Sequence, residues 1–307
     1  VYGPGKKKRP WCRHMCPIGL MLGVFSRIGA VQFAPKRPRA GGDAYTEKGL
    51  CPTMIDLNHK AESRHCIECF RCVHPDAKGG LKLLARWPGT EVVQIRKYNP
   101  NAAEIWFLFL ATGLSIGGFL WLVLPQYGWL REQVGIWAIE RGWTWIGAAG
   151  PAWLMSVHPA GREVYTWLDF FMITAFMLAC AVALTAVLMA LTSLSSWIAG
   201  RLGADSGFRP RLIEQAYAYM PVAMVSLVIG LGGELFEALP LVGVPAPWIP
   251  MVKLVLFALG VVWSLFLGSR LLTAQGLRGA RQALPLMPLF AGVAVIGVAW
   301  WPAIFGI

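Results

Sequence analysis

Three cysteines are spaced two residues apart in the stretch Cys66-Ile67-Glu68-Cys69-Phe70-Arg71-Cys72. This C-x2-C-x2-C spacing brings three thiolates around one small volume, as in loops that hold three corners of a [4Fe–4S] cube. The fourth ligand of such a cube commonly comes from a distant Cys-Pro pair. Cys51-Pro52 fits that part, because the intervening segment is long enough to loop back. The stretch therefore predicts one [4Fe–4S] cluster bound by Cys51, Cys66, Cys69 and Cys72.

Two other uses of these cysteines have to be weighed against the cluster. Zinc sites usually pair their cysteines as two C-x2-C knuckles, so a third cysteine at the next step is unusual for them. Disulfide frameworks are typical of small secreted domains with an even number of cysteines, whereas this chain has seven. The spacing favours the iron–sulfur cluster, and zinc is the main alternative.

A second cysteine motif lies upstream, where Cys12, Cys16 and Pro17 form a C-x3-C-P pattern followed by an apolar segment. Together with the downstream cysteines, it resembles the membrane-integral polyferredoxins of the NapH, NosR and CcoG type, which include members from bacterial iron-uptake operons. The resemblance covers residues 9–76, about a quarter of the chain. It implies a bacterial inner-membrane protein whose [4Fe–4S] clusters, on the cytoplasmic side, pass electrons between quinone or cytoplasmic donors and periplasmic redox partners.

The resemblance also bears on Cys12 and Cys16, because two thiolates cannot hold a cube alone. It implies a second [4Fe–4S] cluster that is completed by a segment upstream of Val1 or by a partner chain. We expect such a segment, since the chain does not begin with Met. The alternative is a pair of free thiols, or a redox pair that forms a disulfide. His74 and Asp76, the latter in place of a ferredoxin cysteine, are candidates for a non-cysteine ligand.

The composition is typical of a membrane protein. Of 307 residues, 56% are hydrophobic and only 14% are charged, and the mean hydropathy is +0.53. The positive charge is concentrated at one end of the chain. Residues 1–102 contain 18 lysines and arginines against 7 acidic residues, a net charge of +11, while the remainder carries a net charge of +1. A basic lobe attached to a membrane domain predicts cytoplasmic placement beside lipid, and we expect no nucleic-acid partner.

Five apolar runs are long enough to cross about 30 Å of hydrocarbon. They are residues 103–124, 167–194, 214–236, 249–272 and 284–305. Arginine-rich loops after the second and fourth runs belong on the same side as the basic lobe. The sequence thus predicts a mainly α fold: a polytopic helical bundle (103–307) behind a small irregular ferredoxin-like lobe (1–102). Within the lobe we expect a helix from Pro17 to about Arg27 and a short strand at residues 91–95.

The loop at residues 125–166 belongs on the outer side and is rich in tryptophan. This composition favours a helix lying in the membrane interface, with a docking surface for a periplasmic partner as the alternative. A haem b between transmembrane helices would need two embedded histidines, and none of the five histidines lies inside an apolar run, so we predict no haem b in this chain. Cys180 lies within the second run and is expected to act as a small apolar residue.

Ionisable side chains inside apolar runs are candidates for quinone or proton chemistry, because an unpaired charge is costly there. Near the outer ends of the runs lie Asp169, Glu234, Glu237 and Lys253. Near the inner end of the third run lie Glu214 and Tyr217. The alternative for the outer group is a structural pair with a snorkelling lysine, and the inner group is its rival as a quinone site.

Two functions of different classes follow. The first is a membrane-bound electron-transfer protein, working with other redox subunits as a component of a quinol-linked oxidoreductase. In it, Arg64 and Arg71 are expected to make reduction of the cluster easier. The second is a non-redox accessory, assembly or metal-transport subunit with a structural or sensing cluster. Hydrolytic and nucleotide-driven enzymes are not supported, because the chain lacks G-x4-G-K-[ST], G-x-G-x-x-G and H-E-x-x-H motifs.

Overall fold

The computed structural model describes residues 17–35, 51–53, 55–57, 60, 62–73, 81–158 and 163–305. These residues are mainly helical. Five helical segments among them are long and apolar enough to cross a membrane: Ala102–Val123, Trp167–Arg201, Phe208–Gly230, Ala246–Ala274 and Gly279–Pro302. The prediction of five membrane-spanning segments is therefore confirmed as far as helix length and apolar composition are concerned.

The α-helices, numbered in chain order, are α1 (Pro17–Phe25), α2 (Thr90–Val93), α3 (Ala102–Val123), α4 (Pro125–Glu140), α5 (Ala152–Met155), α6 (Trp167–Arg201), α7 (Phe208–Ala216), α8 (Met220–Leu231), α9 (Gly233–Glu237), α10 (Ile249–Ala274) and α11 (Ala283–Phe305). The strands are β1 (Val31–Pro35), β2 (Leu81–Ala85), β3 (Ser156–His158) and β4 (Glu163–Val164). They form two separate antiparallel pairs, β1 with β2 and β3 with β4.

The third apolar segment is not one regular helix. It starts earlier than predicted, at Phe208, and α7 passes into a 3-10 turn at Tyr217–Tyr219 before α8 begins. Pro221 is the second residue of α8, where the backbone N–H that proline lacks would have no helical acceptor. The short turn therefore lets a proline occupy the middle of a membrane-spanning segment.

A two-stranded antiparallel sheet belongs to the lobe. β1 and β2 pair in a register that runs from Val31 opposite Ala85 to Pro35 opposite Leu81. Phe33 on β1 and Leu81 on β2 are buried in the small core of the lobe, together with Leu57 and Cys72. This core holds the cysteine-bearing segments between the two strands.

The strand predicted at residues 91–95 is wrong. Helix α2 and a 3-10 turn at Ile95–Lys97 occupy this segment. Gly89, with a φ of 83°, precedes α2 in a left-handed conformation that glycine adopts without strain. Glu91 is fully buried against two arginines, and these ionic contacts outweigh the strand preference of the neighbouring valines.

The chain forms two compact units. The first contains the described residues up to Leu108 together with Leu194–Pro221 and Trp263–Met287. The second contains Phe109–Ser193, Val222–Val262 and the described residues from Pro288 onward. The first unit therefore contains the described residues of the lobe and residues of both arginine-rich loops. These are the loops predicted to lie on the same side of the membrane as the lobe.

Close packing of two glycines on α3 against α6 characterises the second unit. A Cβ atom added at Gly113 would lie 2.7 Å from the Cα of Ala181, and one added at Gly117 would lie 2.9 Å from the Cβ of Cys180. The Gly-x3-Gly spacing lets the two backbones approach, as is common between membrane helices. Cys180 packs in this contact as a small side chain.

We expect Gly113→Ala to lower the stability of the protein by about 1–3 kcal/mol, because its methyl group would have to displace the backbone of α6. Gly118→Ala is the matched control. Its added Cβ would meet only the flexible Cε end of Met177, at 3.3 Å. Thermal unfolding of both variants in the same detergent measures the difference, and equal midpoints would contradict the packing argument.

Candidate metal centre

The four cysteines predicted as ligands line one cavity in the first unit. Cys51 comes from the segment before the loop, and Cys66, Cys69 and Cys72 come from the loop itself. The cavity is small, with about 20 Å³ available to the centre of a water-sized sphere, and it is partly open to solvent. All four side chains are free thiols. The fold thus brings the distant Cys51 to the other three, as the spacing argument requires.

The loop that carries three of these thiols has an unusual backbone. His65, Glu68 and Phe70 have positive φ angles of 61°, 50° and 59°. Such angles are uncommon outside glycine and cost on the order of 1–3 kcal/mol each. All three residues are sequence neighbours of Cys66 or Cys69. Backbone strain of this kind is concentrated at ligand-binding sites. The three positive φ angles therefore indicate a loop whose backbone is shaped to hold a bound group.

The thiols differ in their surroundings. Cys72 is buried, Cys51 and Cys66 are partly buried, and Cys69 is exposed. Burial raises the pKa of the Cys72 thiol to about 11, although the nearby Lys60 ammonium lowers it. Metal binding at Cys72 would therefore release a proton at neutral pH. The Sγ atom of Cys51 lies 3.2 Å from the hydroxyl oxygen of Thr53, which can donate a hydrogen bond to a thiolate there.

The donor set fits a [4Fe–4S] cluster, in which each cysteine thiolate binds a different iron. Among the described residues, no three His, Cys, Asp or Glu side chains converge closely enough for one ion. The four thiols that line the cavity are the kind and number of donors that such a cluster uses. Cys12, Cys16, His74 and Asp76 lie outside the described residues.

Arg27 lies at the centre of a buried ionic network next to the cysteine loop. Its guanidinium is fully buried and lies 3.0 Å from Glu62, 3.1 Å from Glu91 and 3.0 Å from Glu104. Burial lowers the pKa of Arg27, but the carboxylates of Glu104 and Glu62 outweigh this and raise the pKa above its usual value. One permanently charged side chain thus joins the 62–66 segment, α2 and the first turn of α3.

Glu91 connects this network to the cysteine loop. Its carboxylate accepts a hydrogen bond from Arg86 Nη1 at 2.7 Å, and its two oxygens lie 3.2 and 3.1 Å from the Ser63 amide nitrogen. The Ser63 carbonyl accepts hydrogen bonds from the hydroxyl of Ser26 and from the amide of Cys66. The backbone that leads into Cys66 is therefore fixed from several sides.

Arg27 was not predicted as a site residue, and the predicted effect of Arg64 and Arg71 on the cluster stays a prediction. Arg27 is the one charged residue in the apolar run 18–28. A single charge in such a run could have indicated that Arg27 is buried with acidic partners. Arg64 forms an ion pair with Glu104, while Arg71 lines the cavity and is partly buried. Lys60, which was not predicted, is buried and lines the same cavity.

The quinone candidates at the inner end of the third segment are bound to other side chains of the first unit. Glu214 lies 2.8 Å from Arg96 Nε and accepts a hydrogen bond from the amide of Gln275 at 2.8 Å. The hydroxyl of Tyr217 donates a hydrogen bond to Glu104 at 2.7 Å. Both groups are thus engaged by other side chains, and a role toward quinone stays a prediction.

The candidates at the outer ends lie in the second unit. Asp169 and Thr166 form a reciprocal cap at the start of α6, with hydrogen bonds of 3.1 and 3.2 Å between backbone N–H groups and side-chain oxygens, and Asp169 also pairs with Arg131. The ammonium of Lys253 lies 5.2 Å from the ring centre of Phe236. Glu237 is exposed, and the side chain of Glu234 is not among those described. No ion pair between described side chains joins Lys253 to Asp169 or Glu237.

No protein-family model and no solved structure matches the chain. An uncharacterized protein of Methanocaldococcus jannaschii is 31% identical over 75 residues, which are 24% of this chain and 30% of that protein. The chain is therefore similar to a short part of that relative, whose name carries no function.

Proposed function

We propose that the protein is a membrane-bound electron-transfer protein of the polyferredoxin type. It holds a [4Fe–4S] cluster on Cys51, Cys66, Cys69 and Cys72 and relays electrons to or from quinone or a membrane or periplasmic redox partner. The observation that carries the proposal is the cavity lined by four free thiols on a backbone with three positive φ angles. When bound, a cluster of this kind takes up and releases single electrons.

The described side chains suit this task. The Thr53 hydroxyl stabilises a thiolate at Cys51, and the network around Arg27 and Glu91 holds the loop in one geometry. Cys69 and Phe70 are exposed, so a redox partner can approach the cluster most closely at this edge of the lobe. The protein's own contribution is to position the ligands and to set their electrostatic surroundings.

The proposed location is the bacterial inner membrane, with the lobe on the cytoplasmic side. Contacts of the lobe with the arginine-rich loops support a common side for all of them. Arg96 donates hydrogen bonds to the hydroxyl of Ser206 at 3.3 Å and to the carbonyl of Ala274 at 3.1 Å. A second cluster on Cys12 and Cys16, completed by an upstream segment or a partner subunit, belongs to the same proposal.

One observation favours the second function, a cluster that serves only as a structural staple. Cys72 belongs to the buried core of the lobe with Phe33, Leu57 and Leu81, and the partly buried Cys51 and Cys66 pack against that core. A cluster at this place would replace missing apolar packing in a lobe with a small core. An accessory or assembly subunit needs no more than this.

A redox titration followed by EPR on the purified chain in lipid separates the two functions. The electron-transfer proposal predicts a [4Fe–4S] signal that appears and disappears reversibly at potentials near those of the quinone pool, and that a soluble quinol or its quinone can drive. A cluster that decomposes on reduction would instead support the structural role. About four iron atoms per chain are expected for one cluster, and about eight if the second is present.

A further inference from the structure

Lys60 is a buried cation in the wall of the thiol cavity. Its side chain lines the cavity together with all four cysteines. The residue is only 8% exposed, and its ammonium nitrogen lies 5.2 Å from the ring centre of Phe33. A cation over an aromatic face is attracted by the ring, so Phe33 holds the ammonium in place and shields it from water.

The charge of Lys60 is not neutralised by a described carboxylate. The ion pairs of the described residues involve the cations Arg27, Arg64, Arg86, Arg96 and Arg131. Burying a charge without an opposite charge is costly. Four thiolates in the same cavity would supply the opposite charge.

We propose that Lys60 is a positioning residue that sets the reduction potential of the cluster. This inference rests on the proposed function. Adding one electron makes the cluster and its thiolates one charge more negative, and a fixed cation nearby favours that state, the more so where water is excluded. The same effect was predicted for Arg64 and Arg71. Arg64 is paired with Glu104, and Arg71 lines the cavity but is less buried than Lys60.

The test is an EPR-monitored titration of Lys60→Met in the full chain. Removing the charge is expected to lower the ratio of reduced to oxidised cluster at least tenfold at a fixed solution potential, which is a fall of about 59 mV for a one-electron couple. Lys60→Arg keeps the charge and should stay near wild type. Lys82→Met is the matched control. It removes the same charge from an exposed position on β2, where solvent screens it, and should change the ratio by less than roughly threefold.

Iron and sulfide contents measured on the same samples distinguish the possible failures. A wild-type chain without about four iron atoms would remove the proposed function itself. A Lys60→Met chain with a full cluster and an unchanged potential would overturn the Lys60 inference alone. If Lys60→Met and Lys60→Gln lose the cluster while Lys60→Arg retains it, the charge serves to hold the cluster and not to set its potential, which would overturn the inference. Loss in Lys60→Arg as well would mean that the residue acts by packing on Phe33, and would overturn it.

Discussion

Replacing Cys66 with serine is expected to remove about four iron atoms per chain, together with the acid-labile sulfide and the EPR signal of this cluster. The iron content then falls from about four atoms to less than one, or from about eight to about four if the second cluster is present. A serine hydroxyl is a poor ligand for iron, and three thiolates leave one corner of the cube open. Cys69→Ser should have the same effect. Metal and sulfide analysis of the purified variants, next to wild type, measures it.

Cys180→Ser is the matched control, because this cysteine packs on Gly117 in the second unit and should leave the iron content unchanged. Two results would contradict the cluster. One is a wild-type chain with about one zinc and no sulfide, which would establish the zinc alternative. The other is an iron content that Cys66→Ser and Cys69→Ser leave intact, which would place the iron elsewhere.

Arg27→Met is expected to destabilise the protein by about 3–5 kcal/mol. Met has a similar length but no charge, so the change removes the central cation and leaves Glu91 and Glu104 buried with fewer opposite charges. The side chains of these two carboxylates are 0% and 4% exposed, and neither can reach water without unfolding. Unfolding in detergent, followed by near-ultraviolet circular dichroism, measures the loss.

Glu62→Gln is the matched control for this network. Glu62 contacts the same guanidinium but its side chain is 26% exposed, so its loss should cost under about 1 kcal/mol.

Burial raises the pKa of Glu62, and Arg27 and Arg64 only partly offset this. A raised pKa in the folded state means that the contribution of Glu62 to stability is complete below its ordinary pKa and is lost as the pH rises through the raised one. The free energy of unfolding of the Glu62→Gln variant should therefore be closest to that of wild type at neutral pH. A cost as large as that of Arg27→Met would contradict this division of roles.

The cysteine set and the membrane segments could be predicted because their signals are local. Spacing of two residues brings Cys66, Cys69 and Cys72 around one volume whatever the rest of the chain does. Twenty apolar residues in a row indicate a membrane helix without knowledge of its neighbours. The helix at Pro17–Phe25 could be placed for a similar reason, since proline suits the first turn of a helix.

Other features failed or were missed because they depend on residues far apart in sequence. Glu91 stands in a run that reads as a strand, but contacts with Arg27 and Arg86 draw it into a helix. Glu214 reads as an unpaired carboxylate in an apolar segment, yet Arg96, 118 residues away, binds it. Ion pairs between residues so far apart produce no recognisable pattern in the sequence.

The sequence by itself determined the four thiols, the five apolar segments and the concentration of positive charge in the lobe, because each follows from neighbouring residues or from composition. Only the tertiary structure decided which charged side chains lie next to the thiols and which are paired with carboxylates. It buries Arg27 among three carboxylates, engages Arg64 with one of them, and sets Lys60 in the wall of the thiol cavity. The physical reason is that the effect of a charge depends on its partners and its exposure to water, and the packing of distant segments fixes both.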